Sequence, residues 1–597
     1  MKNNFFLLLV LVGVSLLFGL PHLLIPKLLG GASYDPLGGG NGPQSAIVTE
    51  EVYTYVSEVQ EILEGKFPIR DTQLVDYKNT QSPFSGETLP AILMALLSKL
   101  SGSVEKSFMV ADFLFPPISV FLVYLLCRKL TVSKKLSIVA AVVSIVATDV
   151  IALVPYPKPL WDFLVNLKGR DDFLFFSRNF HPQLSFLLFI GMILAIIEAM
   201  KVGGWKRNAG AGILIGAQFY TYFFSWTATA AMLAILTVWQ VWKRNWKLVK
   251  RITAASLMGL IIALPYVWEM HQFRISPLYQ NFFSKNSLPA RSFVLISARY
   301  AVLLSVAYWL TKKKRTPALT ILMATMAATI VLPELASLFL GRDPEGKHWI
   351  RRLLMPLAFP LAAVVCGEVY RRQTWFKLKR RASSALVLIG LGMVFLFGIR
   401  VQISASEKFA GWFHRQEDKQ SLFDWFNLNG KAGEAVATLN SGLIAEIPSF
   451  TKLNNVVPIT TRSIATTQET LSRFFEVARL YQLPPEDVGY LLWTGEISAD
   501  DPVRAWELAE MLPDSKGSWV SRIFYFTAND EGKIFFLSRK RREAVMEEYR
   551  ERIGTKYRID YILVGPVEKK ILGRDTLVDR FPIVYKNGSY SVYRVKN

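Results

Sequence analysis

Nearly charge-free runs of about 17–24 residues recur between Phe5 and Gly398. Each is long enough to cross a hydrocarbon core of ~30 Å as a helix. No such run occurs after about residue 401. The chain therefore reads as two parts. Residues 1–401 form an all-α polytopic membrane domain, and residues 402–597 form a polar domain. Average composition hides this division, because 51% apolar residues is ordinary for soluble chains as well.

The N-terminus carries Lys2 and then an apolar run from Phe5 to Pro26. That run is long for the apolar region of a signal peptide and has no clear small-residue cleavage site, so it is expected to stay as the first span. Net charge is +22. In a soluble protein that balance would point to nucleic acid. Here much of the excess sits in short connections between apolar runs, which is the positive-inside pattern, and no nucleic-acid partner is expected. The two cysteines, Cys127 and Cys366, lie in apolar runs, and the five histidines are too scattered for a zinc motif.

The expected spans are approximately 5–26, 107–127, 136–155, 184–200, 209–224, 226–242, 252–268, 293–311, 317–340, 353–370 and 383–400. Alternate connections are basic: Arg128-Lys129 with Lys134-Lys135; Lys201 with Lys206-Arg207; Lys243-Arg244 with Lys247, Lys250 and Arg251; Lys312 to Arg315; and Arg371-Arg372 with Lys377, Lys379, Arg380 and Arg381. Eleven spans and a cytoplasmic N-terminus put all five on one side. The stretch 209–242 tests the count, because 34 residues without a charge are too many for one span and few for two. A turn near Phe224-Ser225 keeps both flanking basic connections inside, so two short spans are expected. This arrangement implies a multi-pass protein of the plasma membrane with 402–597 extracytoplasmic. The connections 27–106, 156–183, 269–292 and 341–352 would then face outward. Residues 87–100 are expected to form a helix in the membrane interface.

Asp112, Asp149, Arg299 and Glu334 lie within apolar runs, toward their outer ends in this topology. Intramembrane charge is costly and usually faces protein or water. Their shared side suggests a polar cavity opening outward, although long side chains near a span end can also snorkel to the interface.

The first outer loop opens a helix at Thr49-Glu50-Glu51-Val52-Tyr53, with Val52, Val56, Val59 and Leu63 at helical spacing. Thr49 suits an N-cap, and carboxylates suit a first helical turn whatever else they do. Residues 49–78 (TEEVYTYVSEVQEILEGKFPIRDTQLVDYK) resemble the first outer loop of bacterial GT-C membrane glycosyltransferases, with an acidic pair, aromatics and a helix ending in a Gly-containing turn. The resemblance, which covers roughly residues 5–400 in order and topology, implies an inverting transferase that uses a polyprenyl-phosphate or pyrophosphate sugar. It implies Glu50 or Glu51 as the general base for the acceptor hydroxyl, with Tyr53 and Asp76 near the substrate. Glu50 stands where the commoner family pattern has Asp and is one methylene longer. That departure makes Asp71 and Asp76 the nearest alternative bases.

Three later segments carry the same resemblance. Ser177 to Gln183 supplies Arg178, Asn179, His181 and Gln183 before the fourth span, where the family has an Arg/Asn-Pro-Gln entry. The bland alternative is an interfacial anchor with Pro182 starting a helix. Tyr220 to Trp226, including Tyr222, matches the family's aromatic turn, although aromatic belts are common at membrane interfaces. Gly346 to Arg352 puts basic residues on the outer face, against the charge rule. His348 and Arg352 are four apart and would share a helical face. His348, Arg351 and Arg352 are expected to bind the donor phosphate, or else anionic lipid headgroups, since Arg matches phosphate oxygens with a planar fork.

Residues 402–597 read as α/β. Strands are expected at 434–438, 560–565 and 590–595, with a hairpin turn at Asn587-Gly588. Helices are expected near 418–427, 467–481, 502–511 and 540–553. No Walker, Rossmann or triad pattern stands out. The implied partners are membrane lipid, a polyprenyl-linked sugar donor and a glycan, lipid or protein acceptor. The resemblance implies no certain cofactor and leaves a divalent metal open, since some enzymes of the family use one and others do not. Rival readings are a transporter or flippase of a lipid-linked or anionic substrate, and a non-catalytic cell-envelope assembly protein.

Overall fold

The computed structural model describes residues 2–38, 55–148, 172–289, 298–313, 316–372, 380–459, 462–491, 546–551, 557–573 and 580–595. By contacts the chain forms two compact units. One gathers Met1–Gly30, Gly86–Trp268 and Ala290–Ala410, and the other gathers Gly31–Ser85, Glu269–Pro289 and Gly411–Asn597.

The first unit is helical. Its helices are α1 (Lys2–Leu28), α2 (Thr88–Ser101), α3 (Val104–Lys129), α4 (Lys134–Val146), α5 (Ser185–Lys201), α6 (Trp205–Gln218), α7 (Phe223–Trp242), α8 (Trp246–Ile275), α9 (Ala298–Thr311), α10 (Pro317–Leu340), α11 (Met355–Arg372) and α12 (Arg380–Phe409). Starts and stops follow local chemistry. Ser103 Oγ accepts from the Lys106 N–H at the start of α3, and Thr316 Oγ1 accepts from the Leu319 N–H at the start of α10, where Pro317 holds the first helical position. Gly102, at φ 92°, ends α2 in a left-handed conformation that suits glycine.

Each of the eleven expected positions carries a helix. Among the described residues eight are long and apolar enough to cross a membrane: 5–28, 104–129, 179–201, 223–242, 246–275, 317–340, 347–372 and 385–413. The other three, α4, α6 and α9, have 13, 14 and 14 described residues. At 1.5 Å per residue α6 reaches about 20 Å, short of a ~30 Å core, while the expected spans 136–155 and 293–311 run partly outside the described residues. Eight full-length spans thus stand among the described residues. The break in 209–242 is present but earlier than the expected turn near Phe224-Ser225: α6 and α7 are separated by residues 219–222, and Phe224-Ser225 lie in the first turn of α7. Gly212 and Gly216, four apart on α6, let α8 approach. A Cβ on Gly216 would lie 2.6 Å from Ile262 Cβ, and one on Gly259 would lie 2.5 Å from Ile215 Cγ2. The expected helix at 87–100 is α2, which buries Pro90, Ala91, Met94, Ala95 and Ser98.

The second unit contains a five-stranded mixed sheet. Its strands are β1 (Ala435–Ala437), β2 (Asn454–Asn455), β3 (Tyr561–Val564), β4 (Ile583–Lys586) and β5 (Ser591–Arg594), in the order β2-β1-β3-β5-β4. The pairs β1–β2 and β1–β3 are parallel, and β3–β5 and β4–β5 are antiparallel. The three expected strands are β1, β3 and β5. The Asn587-Gly588 turn joins β4 to β5, and Asn587 Oδ1 accepts from the N–H groups of Ser589 and Tyr590. Helices α13 (Glu417–Asn429), α14 (Ser441–Phe450), α15 (Thr467–Leu480) and α16 (Pro566–Leu572) belong to this unit, together with the short helices Val56–Leu63, Leu278–Lys285 and Pro485–Leu491. Leu422, Phe426, Val436, Ile447, Leu563 and Val592 are part of its apolar core. The expected helix at 502–511 lies outside the described residues, and 540–553 is represented by a helical turn at 546–551.

At the C-terminal ends of the parallel strands β1 and β3, nucleotide-binding sheets present backbone N–H groups to phosphate. Here the carboxylate of Glu568 takes those donors. It accepts from the N–H groups of Leu439, Asn440 and Gly565 at 2.8, 3.0 and 3.0 Å and from the Thr438 hydroxyl at 2.6 Å. An internal acid occupies this crossover, and burial pushes its carboxyl above the ordinary value.

Candidate functional site in the helical unit

Pro182 organises the segment before α5. A residue ahead of proline is pushed out of the α region, and His181 sits at φ −137° and ψ 110° inside an otherwise wide, π-type turn spanning Asn179–Leu184. The turn splits the side chains. Asn179 and Gln183 face Asp112 on α3: Asn179 Nδ2 lies 3.1 Å and Gln183 Nε2 lies 2.5 Å from Asp112 Oδ1. His22 Nε2, from α1, reaches Asp112 Oδ2 at 2.9 Å. All four side chains are buried. Asp112 is thus the hub of a polar knot joining α1, α3 and the start of α5, which meets the need of a buried carboxylate for hydrogen bonds. Asn179 and Gln183 serve this knot.

His181 turns the other way. Its imidazole stacks on the Tyr222 ring at 3.8 Å between centroids, and its Nε2 lies 3.7 Å from Glu87 Oε1. Tyr222 stands at the entry to α7 in extended backbone, φ −171°. Its hydroxyl is 2.8 Å from His348 Nδ1. His348 Nε2 is in turn 3.1 Å from Glu345 Oε2. With Nε2–H donating to the carboxylate, Nδ1 accepts the phenolic proton, and a neutral imidazole satisfies both neighbours.

Arg352 completes the group. The segment carrying it is a second π-type turn, Ile350–Leu354, at the entry to α11. Such turns recur at functional sites. Trp349 fixes its position, with Nε1 on Thr227 Oγ1 at 2.9 Å and the indole 4.9 Å from the Phe224 ring centroid. The Arg352 guanidinium carbon lies 4.9 Å from the Tyr222 ring centroid. The side chain is buried at 5% exposure, and its Nη1 has no hydrogen-bond partner among the described residues. Arg178, also buried, is within electrostatic range of both imidazoles. Arg351 is exposed and lies over Phe175 at 5.3 Å, within electrostatic range of His348.

The structure therefore brings Arg178, His181, Tyr222, His348 and Arg352 into one cluster, puts Asn179 and Gln183 in the adjoining knot, and leaves Arg351 exposed at the cluster's edge, within electrostatic range of His348. Glu50, Glu51 and Tyr53 lie outside the described residues, as does Asp149. Asp76 belongs to the other unit, where its carboxylate pairs with Arg473 Nη2. Asp71, also there, is fully buried and accepts from the Ser463 hydroxyl and the N–H groups of Gln73, Leu74 and Ile464. Burial raises its pKa, yet four donors hold both its oxygens, which leaves it a structural acid. Three site-adjacent groups were not expected from sequence: His22, Glu87 and Glu345. Only Glu345 had a signal, since it sits in the Asp-Pro-Glu-Gly turn ahead of His348. Among the described residues no three His, Cys, Asp or Glu side chains gather as a metal ion would need.

No protein-family model matches the sequence, and no curated protein matches it. Solved structures resemble it loosely. ArnT from Cupriavidus metallidurans in the apo state is 12% identical with a TM-score of 0.46, and its complex with undecaprenyl phosphate has a TM-score of 0.44 at the same identity; each comparison covers 97% of both chains. The Archaeoglobus fulgidus oligosaccharyltransferase tethered with an acceptor peptide containing the NVT sequon is 12% identical over 94% of this chain and 69% of its own, with a TM-score of 0.40.

Proposed function

We propose that the protein is a membrane glycosyltransferase that moves a sugar from a polyprenyl-phosphate or pyrophosphate donor to an acceptor at the outer membrane face. The observation that carries this reading is Arg352. A buried guanidinium with an orphan donor is costly unless an anion completes it. A phosphate is the anion that best fits its planar fork. His348 has both ring nitrogens committed to Tyr222 and Glu345, so it orients the pocket while Arg352 meets the phosphate, with Arg178 adding positive potential.

In the proposed reaction the acceptor hydroxyl attacks the anomeric carbon as the bond from that carbon to the phosphate oxygen breaks. The electron pair leaves on the lipid phosphate, where Arg352 stabilises the growing charge. The acceptor proton passes to Glu50 or Glu51.

The test uses the full chain in detergent. It should bind undecaprenyl phosphate, and it should transfer label from a radiolabelled polyprenyl-phosphate sugar to lipid or glycan acceptors in a membrane extract. Arg352→Lys keeps the charge and loses the fork, and is expected to lower kcat/KM by about 100-fold, or ~2.7 kcal/mol. Glu50→Gln or Glu51→Gln should stop transfer and leave lipid binding intact. Unchanged lipid affinity in Arg352→Ala would overturn the phosphate assignment. Label that crosses vesicles with no change of acceptor would support transport instead.

A further inference from the structure

At the other end of the helical unit lies a cavity of about 640 Å³. Its walls come from the end of α3, the start of α4, the α9–α10 connection, the end of α11 and the start of α12. Arg128 on α3 and Arg371 on α11 line it. Arg128 is sixteen residues from Asp112 and Arg371 nineteen from Arg352. At 1.5 Å per residue that is about 24 and 28 Å, so the cavity sits near the opposite membrane face from the Tyr222 cluster.

The lining has two chemistries. Leu319, Val364 and Leu386 supply apolar surface, while Arg128, Lys135 and Arg371 supply positive charge against one acid among the described lining residues, Glu368. Glu368 pairs with Arg371 at 2.8 Å. Arg128 uses Nη1 on the Val132 carbonyl, and Arg371 uses Nε on the Gly367 carbonyl at 3.3 Å. A guanidinium has five N–H donors, so each retains more than the described protein groups take up. One backbone detail opens the space. Outside the helix's own backbone, Gly367 has no heavy atom within 4 Å of where a Cβ would stand. Thr131, at φ 63° at the cavity wall, closes α3 as its left-handed cap, with its N–H on the Arg128 carbonyl and the Val132 N–H on the Cys127 carbonyl.

We infer that this cavity binds an anionic phospholipid of the leaflet at the basic end of the bundle, with the phosphate among Arg128, Lys135 and Arg371 and an acyl chain along Leu319, Val364 and Leu386. Basic pockets between membrane helices on the cytoplasmic side suit such headgroups. The charge pattern places these same connections in the cytoplasm. A soluble anion would have no use for the apolar walls, and a neutral lipid none for three cations.

Native mass spectrometry of the detergent-purified full chain tests this, using phosphatidylglycerol and phosphatidylcholine with identical acyl chains. At least tenfold preferential retention of phosphatidylglycerol is expected. Arg128→Gln combined with Lys135→Gln should abolish that preference. Gly367→Phe, which fills the cavity and removes no charge, should do the same. Thermal melting confirms folding, and since the two variants alter different features, a misfolded one leaves the other decisive. Equal retention of the two lipids overturns the inference. So does a preference that survives both variants, or displacement of the lipid by millimolar inorganic phosphate, which would mark a site for free anions.

Discussion

Tyr222 is in contact with three groups that charge and spacing alone would not bring together. His181 stacks on its ring, Arg352 lies over that ring, and His348 takes its hydroxyl. The ring and the hydroxyl therefore do separable work, and substitutions can distinguish them. Tyr222→Phe keeps the stacking surface and the cation–π contact but removes the partner of His348 Nδ1. It is expected to lower turnover about tenfold, the ~1.4 kcal/mol of one lost hydrogen bond, with little change in donor affinity. Tyr222→Leu also removes the surface beneath Arg352, so donor binding should weaken and turnover fall further. Steady-state kcat and KM for the polyprenyl-linked donor check both. A Phe variant that lost donor affinity as severely as the Leu variant would show that the hydroxyl itself meets the donor. At this scale the sequence was partly legible. His348 and Arg352 could be suspected because basic residues stood on the face where the charge rule does not want them, and Tyr222 because the aromatic turn resembled that of the family. Asn179 and Gln183 looked equally suited to substrate, yet Asp112 claims them from 67 and 71 residues away, a tertiary pairing with no local signature. Asp76 likewise pairs with Arg473, 397 residues distant.

At the scale of elements, the helices were the most readable feature, because a charge-free run has few other stable forms in lipid. The break between α6 and α7 followed from the length of the charge-free stretch and the count of basic connections, although it falls at 219–222 and not at Phe224-Ser225. What remained hidden was how helices approach one another. Gly212, Gly216 and Gly259 look like ordinary apolar-run glycines, but they bring α6 and α8 close enough that a methyl group would strike the Ile262 side chain or the Ala255 and Gly259 carbonyls. Gly216→Ala is expected to destabilise the protein by about 1–3 kcal/mol, the usual cost of overpacking. Gly210→Ala on the same helix meets nothing within 4 Å. It should be neutral or stabilising by about 0.5–1 kcal/mol through helix propensity. Thermal melts of the two variants in one detergent separate the effects, and similar shifts would mean that the α6–α8 contact contributes nothing specific. The two π-type turns were equally invisible in sequence, although each lies where a cluster of polar residues meets a proline: Pro182 in one and Pro356 just after the other.

For the whole molecule, the basic connections and the Arg352 cluster make linked demands. If the connections carrying Arg128, Lys206, Lys243, Lys312 and Arg371 stay in the cytoplasm, the entry to α11, about 28 Å from Arg371, must face outward. A lipid-linked donor would then be met at the external leaflet. The same parity sends residues 402–597 outside. Single cysteines test this in whole cells after Cys366→Ser removes the exposed native thiol, the other cysteine, Cys127, being buried. Arg244→Cys, in an exposed turn between α7 and α8, should react with a membrane-impermeant maleimide only after the cells are opened. Asn429→Cys, exposed at the end of α13, should react in intact cells. If both react only in opened cells, an even number of crossings separates them. The α/β unit would then be cytoplasmic, and the number of crossings after α7 would have to change by one. If Arg244→Cys reacts in intact cells, the orientation is inverted, Arg352 faces the cytoplasm, and external-leaflet transfer fails with it even though the phosphate assignment could stand.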